Sequence, residues 1–254
     1  MLEKTQAIAL RIIPYSRTSL VVHWFTPDHG RVTTLVKGAV RPRSDFLGQI
    51  DLFYTCEIVF YARHAATLHI LRECATETDR AGLRHHWRAC AGASYLCDLA
   101  WRITQPAHAQ RGVFDLLTSA LDFMARNEPA HTLLFWFELH LLRESGLAPR
   151  LTQCPACGRD VTAVSGPARL SLARGGILCA HCRLAEDPRP IMVAPDTLKI
   201  MRAWQEAQSP QAALRVRCTQ AQLFAIAPIL NAFLTYHIDI APPSRGIALQ
   251  LMHA

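Results

Sequence analysis

From residue 6 to residue 74 the apolar positions fall in short runs separated by turn chemistry. Five runs, at 6–13, 19–25, 31–37, 49–61 and 67–72, are rich in Val, Ile, Leu and aromatic residues and predict strands. Pro14-Tyr15-Ser16, Pro27-Asp28-His29-Gly30 and Arg41-Pro42-Arg43-Ser44 supply the breaks. The fourth run alternates with period two. Leu52, Tyr54, Cys56, Ile58 and Phe60 share one face, and Phe53, Thr55, Glu57, Val59 and Tyr61 share the other. Five short strands suit a small closed barrel, and the five-stranded OB-fold is the common solution; an SH3-like barrel fits the same pattern.

Past Thr78 the period lengthens. Leu83, Trp87, Cys90, Ser94, Cys97 and Trp101 step by three and four, which predicts one helical stripe. A second helix is expected at 113–126 and a third at 130–145. The third is apolar nearly all round, so it belongs at the centre of a bundle, closed by Gly146 just past its end. Residues 150–190 carry two cysteine pairs and eight glycines and prolines, with little helical signal. Helices return at 196–207, behind Pro195, and at 219–236, where Thr219 caps and Pro228 predicts a kink or a new first turn. Ala241-Pro-Pro-Ser-Arg-Gly reads as extended. The fold class is therefore multi-domain α+β. An N-terminal OB-fold β-barrel (1–78) precedes a C-terminal α-helical bundle (79–149 and 191–254) with an inserted four-cysteine zinc-ribbon-like module (150–190).

The cysteine spacing carries the clearest chemistry. Cys154, Cys157, Cys179 and Cys182 form C-x2-C-x21-C-x2-C, and each pair can hold one edge of a metal tetrahedron. Between the pairs, 169–174 followed by Gly175-Gly176 predicts a hairpin that returns the second pair to the first. His181 could replace one cysteine. Four thiolates leave no open coordination position, so the expected ion is a structural zinc. The chain has no H-E-x-x-H, no G-x-x-x-x-G-K-[ST], no G-x-G-x-x-G and no H-x-E, so no enzyme activity is expected. Nine cysteines is an odd count, which disfavours a secreted disulfide framework. No apolar leader opens the chain, and the longest apolar stretch, Leu133 to Leu142, falls short of the roughly 18 residues that cross a bilayer. These features predict a reducing cytoplasm and no membrane.

Charge adds a partner class. The net charge is +7, and of 27 basic residues only Lys4, Lys37 and Lys199 are lysines. Arginine offers a planar fork that matches phosphate, although a GC-rich genome produces the same bias. The first 43 residues carry seven basic residues against Glu3 and Asp28. Arg11, Arg17, Arg31, Lys37, Arg41 and Arg43 are the candidate DNA-binding set, with Trp24, Phe25, Phe46, Phe53 and Tyr61 as candidate stacking rings. Barrel core and a solvated face are the structural alternatives. Arg80, Arg84 and Arg88, spaced by four, predict a basic helix face for DNA or an acidic peptide.

In this order, barrel, bundle, zinc module and terminal helices, the chain resembles the RecO family of bacterial recombination mediators. The resemblance rests on Ala7 to Arg11, on Trp24-Phe25-Thr26-Pro27-Asp28-His29-Gly30-Arg31 through Leu35-Val36-Lys37-Gly38-Ala39, and on Phe137-Glu138-Leu139-His140-Leu141-Leu142 with Ser145-Gly146-Leu147-Ala148-Pro149 and the first cysteine pair. Gly175-Gly176-Ile177-Leu178-Cys179 and Ser244-Arg245 add to it. Ser16-Arg17 departs from the acidic residue the family often carries there, and the C-terminal basic motif is short. The resemblance implies a protein that binds single- and double-stranded DNA and anneals complementary strands. With RecR, and in many bacteria RecF, it would load RecA onto DNA coated by the single-stranded-DNA-binding protein SSB, whose acidic tail it would contact. It implies a cytoplasmic, nucleoid-associated setting. A zinc-ribbon RNA-binding or transcription-associated module is the other reading.

Overall fold

The computed structural model describes residues 1–62, 67–163, 166–182, 190–239 and 242–252. Two compact units divide the chain: residues 1–129 with 244–254, and residues 130–243.

In the first unit, β1 (Leu2–Pro14), β2 (Leu20–Thr26), β3 (Gly30–Val36), β4 (Thr55–Tyr61) and β5 (His69–Thr78) close into a barrel in the order β1-β2-β3-β5-β4. All neighbours are antiparallel except β3 and β5, which close the barrel in parallel at Thr34↔His69 and Leu35↔Ile70. This is the OB-like barrel expected from the strand count. Alternation builds its interior: Ala7, Ala9, Val22, Trp24, Val32, Val36, Tyr54, Cys56, Ile58 and Phe60 are buried together. β4 starts later than the apolar run suggests. Phe53 takes a left-handed backbone (φ 67) and its N–H donates to Ala9 O at 3.0 Å, so the run turns before it pairs. Gln49, upstream of that turn, accepts from Thr76 at both its backbone carbonyl and its side-chain oxygen.

α1 (Gly82–His85), α2 (Trp87–Ile103) and α3 (Arg111–Arg126) follow, and α8 (Pro243–Leu251) joins this unit from Ser244 onward. The expected helical stripe is not the buried face. His86 is extended (φ −125, ψ 99), so Leu83 lies on a separate short helix, while Trp87 and Ser94 face solvent. The buried positions are Ala89, Gly92, Ala93, Tyr95, Leu96, Cys97, Leu99 and Ala100, and a Cβ on Gly92 would lie 3.0 Å from Met124 of α3. Gly82 has the same origin: a Cβ there would lie 2.0 Å from Ala125 O. The C-terminal segment expected to be extended is α8. Its Pro243 occupies the first turn, where the missing N–H costs nothing, and Ser244 Oγ donates to Asp98 at 2.7 Å.

The second unit is centred on α4 (His131–Glu144), buried along its length from His131 to Leu142. Gly146 (φ 73) ends it, with Leu147 N–H donating to Leu142 O at 2.7 Å. α5 (Pro195–Glu206), α6 (Pro210–Leu214) and α7 (Gln220–Ile238) pack on α4. Thr219 caps α7 in a capping box with Gln222, and Pro228 lies inside that helix. Among the described residues α7 is the one helix long and apolar enough to cross a membrane; Ile226, Ile229, Leu230, Phe233 and Leu234 are buried in the unit, while Phe224 and Tyr236 are exposed. A three-stranded sheet, β7-β6-β8, is built from β6 (Ala168–Ser171), β7 (Gly176–Leu178) and β8 (Ile191–Val193).

Candidate nucleic-acid interface and metal centre

The six candidate DNA-binding residues separate into two groups. Arg17 lies in the turn between β1 and β2, and Lys37, Arg41 and Arg43 lie just past β3. Backbone and side-chain bonds tie these loops together: Val40 N–H donates to Thr18 O at 3.2 Å, and Gly38 N–H to Ser19 Oγ at 3.2 Å. All four residues are exposed, and none forms an ion pair among the described residues. Arg11 and Arg31 are instead occupied within the unit. Arg11 pairs with Asp98 at 2.9 Å. Arg31 lies 4.4 Å over the Trp101 ring and donates to Trp101 O at 3.1 Å, and desolvation lowers its pKa.

Most of the candidate rings are core. Trp24, Phe25 and Phe53 are buried, and Trp24 Nε1 donates to Thr34 Oγ1 at 2.8 Å. Phe46 is half-buried and Tyr61 is 45% exposed. Sequence reasoning missed Tyr15, which is 63% exposed beside Arg17. Its place in a turn was the available signal. It also missed the half-buried Trp101, which takes both Arg11 and Arg31 over its ring.

Arg80, Arg84 and Arg88 do not share a helix face. Arg80 precedes α1 and its side chain is 1% exposed, bonded to Phe53 O, Thr55 Oγ1 and Asp122. Arg84 lies 4.8 Å over Tyr54 and 3.5 Å from Asp51, and Arg88 lies 5.0 Å over Trp87. The extended His86 between α1 and α2 breaks the spacing that would align them.

In the second unit the four spaced cysteines converge. The sulfurs of Cys154, Cys157, Cys179 and Cys182 all lie within 4.8 Å of one another, with Cys157 Sγ 3.7 Å from Cys179 Sγ. Tetrahedral zinc with bonds of about 2.3 Å separates its sulfurs by about 3.8 Å, so the donor set fits. The first pair sits on a turn closed by Gly158 (φ 73), whose N–H donates to Cys154 O at 2.8 Å. The second follows β7 and is held by Arg169, whose guanidinium donates to Cys179 O at 2.8 Å and Cys182 O at 3.3 Å. Burial opposes ionisation of Cys154, but the backbone N–H groups of Cys179, Ala156 and Cys157 and the Cys157 thiol overcome it and hold Cys154 at about 6. Hydrogen bonds with Cys157 and Cys179 push the Cys182 thiol up, so the cluster titrates as one set rather than as separate thiols. His181 is exposed and stands outside the cluster. Arg202 on α5 fastens the module, donating to the carbonyls of Leu151, Val161 and Thr162 at 2.8–3.1 Å.

The same unit holds a cavity of about 600 Å³ between α4 and the approach to the first cysteine pair, with Leu139, Ala148, Pro149 and Leu151 as apolar lining and Arg143 and Arg150 as cations.

Residues 1–78 match the family model Recombination protein O N terminal, and residues 84–246 match Recombination protein O C terminal. The chain belongs to the RecO family. It is 30% identical to DNA repair protein RecO of Anaeromyxobacter sp. strain K over 92% of this chain and 91% of that protein. It is 27% identical to DNA repair protein RecO of Moorella thermoacetica over 96% and 89%, and 29% identical to that of Desulforudis audaxviator over 95% and 94%. The RecO N-terminal match covers the barrel, and the RecO C-terminal match covers both cysteine pairs and runs from α1 into α8.

Proposed function

We propose that this RecO-family chain is a non-enzymatic mediator of recombinational DNA repair. It binds single- and double-stranded DNA, anneals complementary strands and, with RecR, helps load RecA onto SSB-coated single-stranded DNA in the cytoplasm, at the nucleoid; RecF is a further partner. The observation that carries the reading is the set of four exposed, ion-pair-free cations, Arg17, Lys37, Arg41 and Arg43, on two tied loops of an OB-like barrel. Cations in such a position neutralise phosphates and release counterions. Neutralisation lowers the repulsion between two strands, which is the main obstacle to annealing. No group in the chain need change a covalent bond.

The acidic SSB tail needs a cationic surface. The cavity with Arg143 and Arg150 meets that need better than Arg80, which is internally bonded. Zinc held by Cys154, Cys157, Cys179 and Cys182 would brace the module against α5 and supply no reactive position.

The test is annealing of two complementary fluorescent oligonucleotides, each coated with SSB, with and without the protein. Acceleration that fades with salt and in the Arg41→Glu/Arg43→Glu protein supports the reading. A folded protein that does not accelerate annealing, or that prefers RNA of defined sequence, overturns it in favour of the zinc-ribbon RNA-binding or transcription-associated alternative.

A further inference from the structure

A cleft of about 540 Å³ opens on the barrel in the first unit, away from the four exposed cations, and the proposed function leaves it unused. Val32, Phe60, Ala62, Pro106 and Ala107 give it apolar lining. Three imidazoles, His23, His29 and His69, and the guanidinium of Arg31 supply its polar groups, against the single carboxylate of Glu3. His29 meets the Phe60 ring edge-on at 5.8 Å and His69 meets it tilted at 5.5 Å, so both imidazoles rest on a ring that belongs to the barrel core. His23 Nδ1 is bonded to Thr33 Oγ1 at 3.0 Å, which leaves Nε2 as its other polar atom, and its ring stands edge-on to Trp101 at 4.9 Å.

The cleft is held in shape. Residues 104–110 cross the β2–β3 turn so closely that a Cβ on Gly30 would lie 2.3 Å from Gln105 O and 2.5 Å from His108 O. Arg31 N–H donates to Gln105 O at 3.2 Å and Gln110 N–H to Pro27 O at 3.1 Å. The Arg31 side chain is fixed on the Trp101 ring and carbonyl, yet its buried Nε has no hydrogen-bond partner among the described residues. The Arg31 side chain is only half-buried, so the rest of its guanidinium can take an anionic acceptor from the cleft.

A part-open cleft, heterocyclic hydrogen-bonding rings and one fixed guanidinium match a specific chemistry. Sites of this size take single small ligands rather than an extended strand. Unstacked bases are held on aromatic and histidine rings, and phosphate by arginine forks. We propose that this cleft binds one unstacked nucleotide of a bound single strand, with the base against the imidazoles of His29 and His69 and a phosphate oxygen on Arg31. The inference rests on the DNA-binding reading and adds to it a second contact of different kind. The exposed cations hold backbone at long range, and the cleft anchors one base. Anchoring one nucleotide would hold its neighbours out of a continuous stack.

The probe is thymidine 5′-monophosphate titrated into the full chain, followed by NMR shifts of the histidine ring protons. Inorganic phosphate and thymidine are parallel arms, and anisotropy with a dT oligonucleotide reports strand binding. The expected result is saturable shifts of His23, His29 and His69 by the nucleotide, with phosphate and thymidine each binding at least tenfold more weakly. His29→Ala should weaken the nucleotide by at least fivefold while the dT oligonucleotide keeps its salt dependence. A second variant, Thr33→Phe, which narrows the cleft, should do the same; thermal melts establish that each is folded. The inference is overturned if the oligonucleotide binds but the nucleotide shifts none of the three histidines, if phosphate alone binds as well as the nucleotide, or if both folded variants bind it unchanged. Failure of the oligonucleotide itself to bind would instead remove the DNA-binding reading.

Discussion

At the residue scale, burial decides what a charged side chain can do. Arg80 has a left-handed backbone (φ 46), a side chain 1% exposed and bonds to Phe53 O, Thr55 Oγ1 and Asp122. It ties the turn before β4 to α3. Arg80→Met should lower unfolding free energy by about 3 kcal/mol, since it strands polar partners of a buried charge. Arg84→Ala, whose ion pair with Asp51 is half-exposed, should cost under about 0.5 kcal/mol. Urea midpoints check both, and equal losses would contradict the assignment. The sequence spacing of four made these residues look alike, because nothing local to them announces that His86 is extended. Histidines give a pH signature of the same origin. Desolvation lowers the pKa of His140, His23 and His237 below the ordinary 6.5, and for His140 it outweighs the bond to Trp204 O at 3.0 Å. A lowered histidine favours the neutral folded form. Its stabilisation is complete above the ordinary value and is lost as pH falls below it. The denaturation midpoint should therefore drop between roughly pH 7.5 and pH 5.5. His140→Gln should flatten part of that fall, and an unchanged slope would sink the attribution.

At the element scale, short spacings were legible and long ones were not. The two C-x-x-C pairs, the hairpin between them, the Thr219 cap and the Gly146 terminus are local signals, and each stands where local chemistry puts it. Arg202, which holds the module through three carbonyls, lies far along the chain from its acceptors and has no local mark. α6 and α8 were missed because proline punctuation reads as a break, although proline is at home in a first helical turn. The α2 stripe failed because the buried face includes Ala89, Gly92, Ala93 and Ala100, which are weak in hydrophobic pattern, while Trp87 and Ser94 face solvent. The cysteine cluster supports a prediction at this scale. Structural zinc in finger peptides contributes on the order of 10 kcal/mol or more of apparent binding energy, and folding here would draw on it. Cys157→Ser, like chelation of the wild type, should lower soluble yield and thermal midpoint, with metal content by mass spectrometry falling in parallel. A metal-free Cys157→Ser protein that melts like the wild type would deny the cluster a structural role.

At the scale of the whole molecule, the net charge of +7 is less informative than its distribution. In the first unit Lys4 pairs with Glu57, Arg11 with Asp98, Arg80 with Asp122, Arg84 with Asp51 and Arg111 with Asp28. Those cations are partly spent on the fold. Arg17, Lys37, Arg41 and Arg43 are not, so their charge is available to a polyanion. Composition located the excess in the first 43 residues but could not sort spent from unspent, because Asp98 lies beyond that stretch in sequence and beside Arg11 in space. The distinction is measurable through counterion release. Each phosphate contact on a single strand contributes about −0.7 to the slope of log K against log salt. Removing two contacts with Arg41→Glu/Arg43→Glu should make the slope shallower by about 1.4 and weaken binding most at low salt. Arg11→Gln should leave the slope as it is and change stability by under about 1 kcal/mol, because its ion pair is half-exposed and Asp98 keeps Arg102 at 3.2 Å. Anisotropy of a labelled dT oligonucleotide across a salt series reads both variants. A slope unmoved by the double reversal, or one that falls with Arg11→Gln alone, would place the strand on a different face of the barrel from the one these loops define.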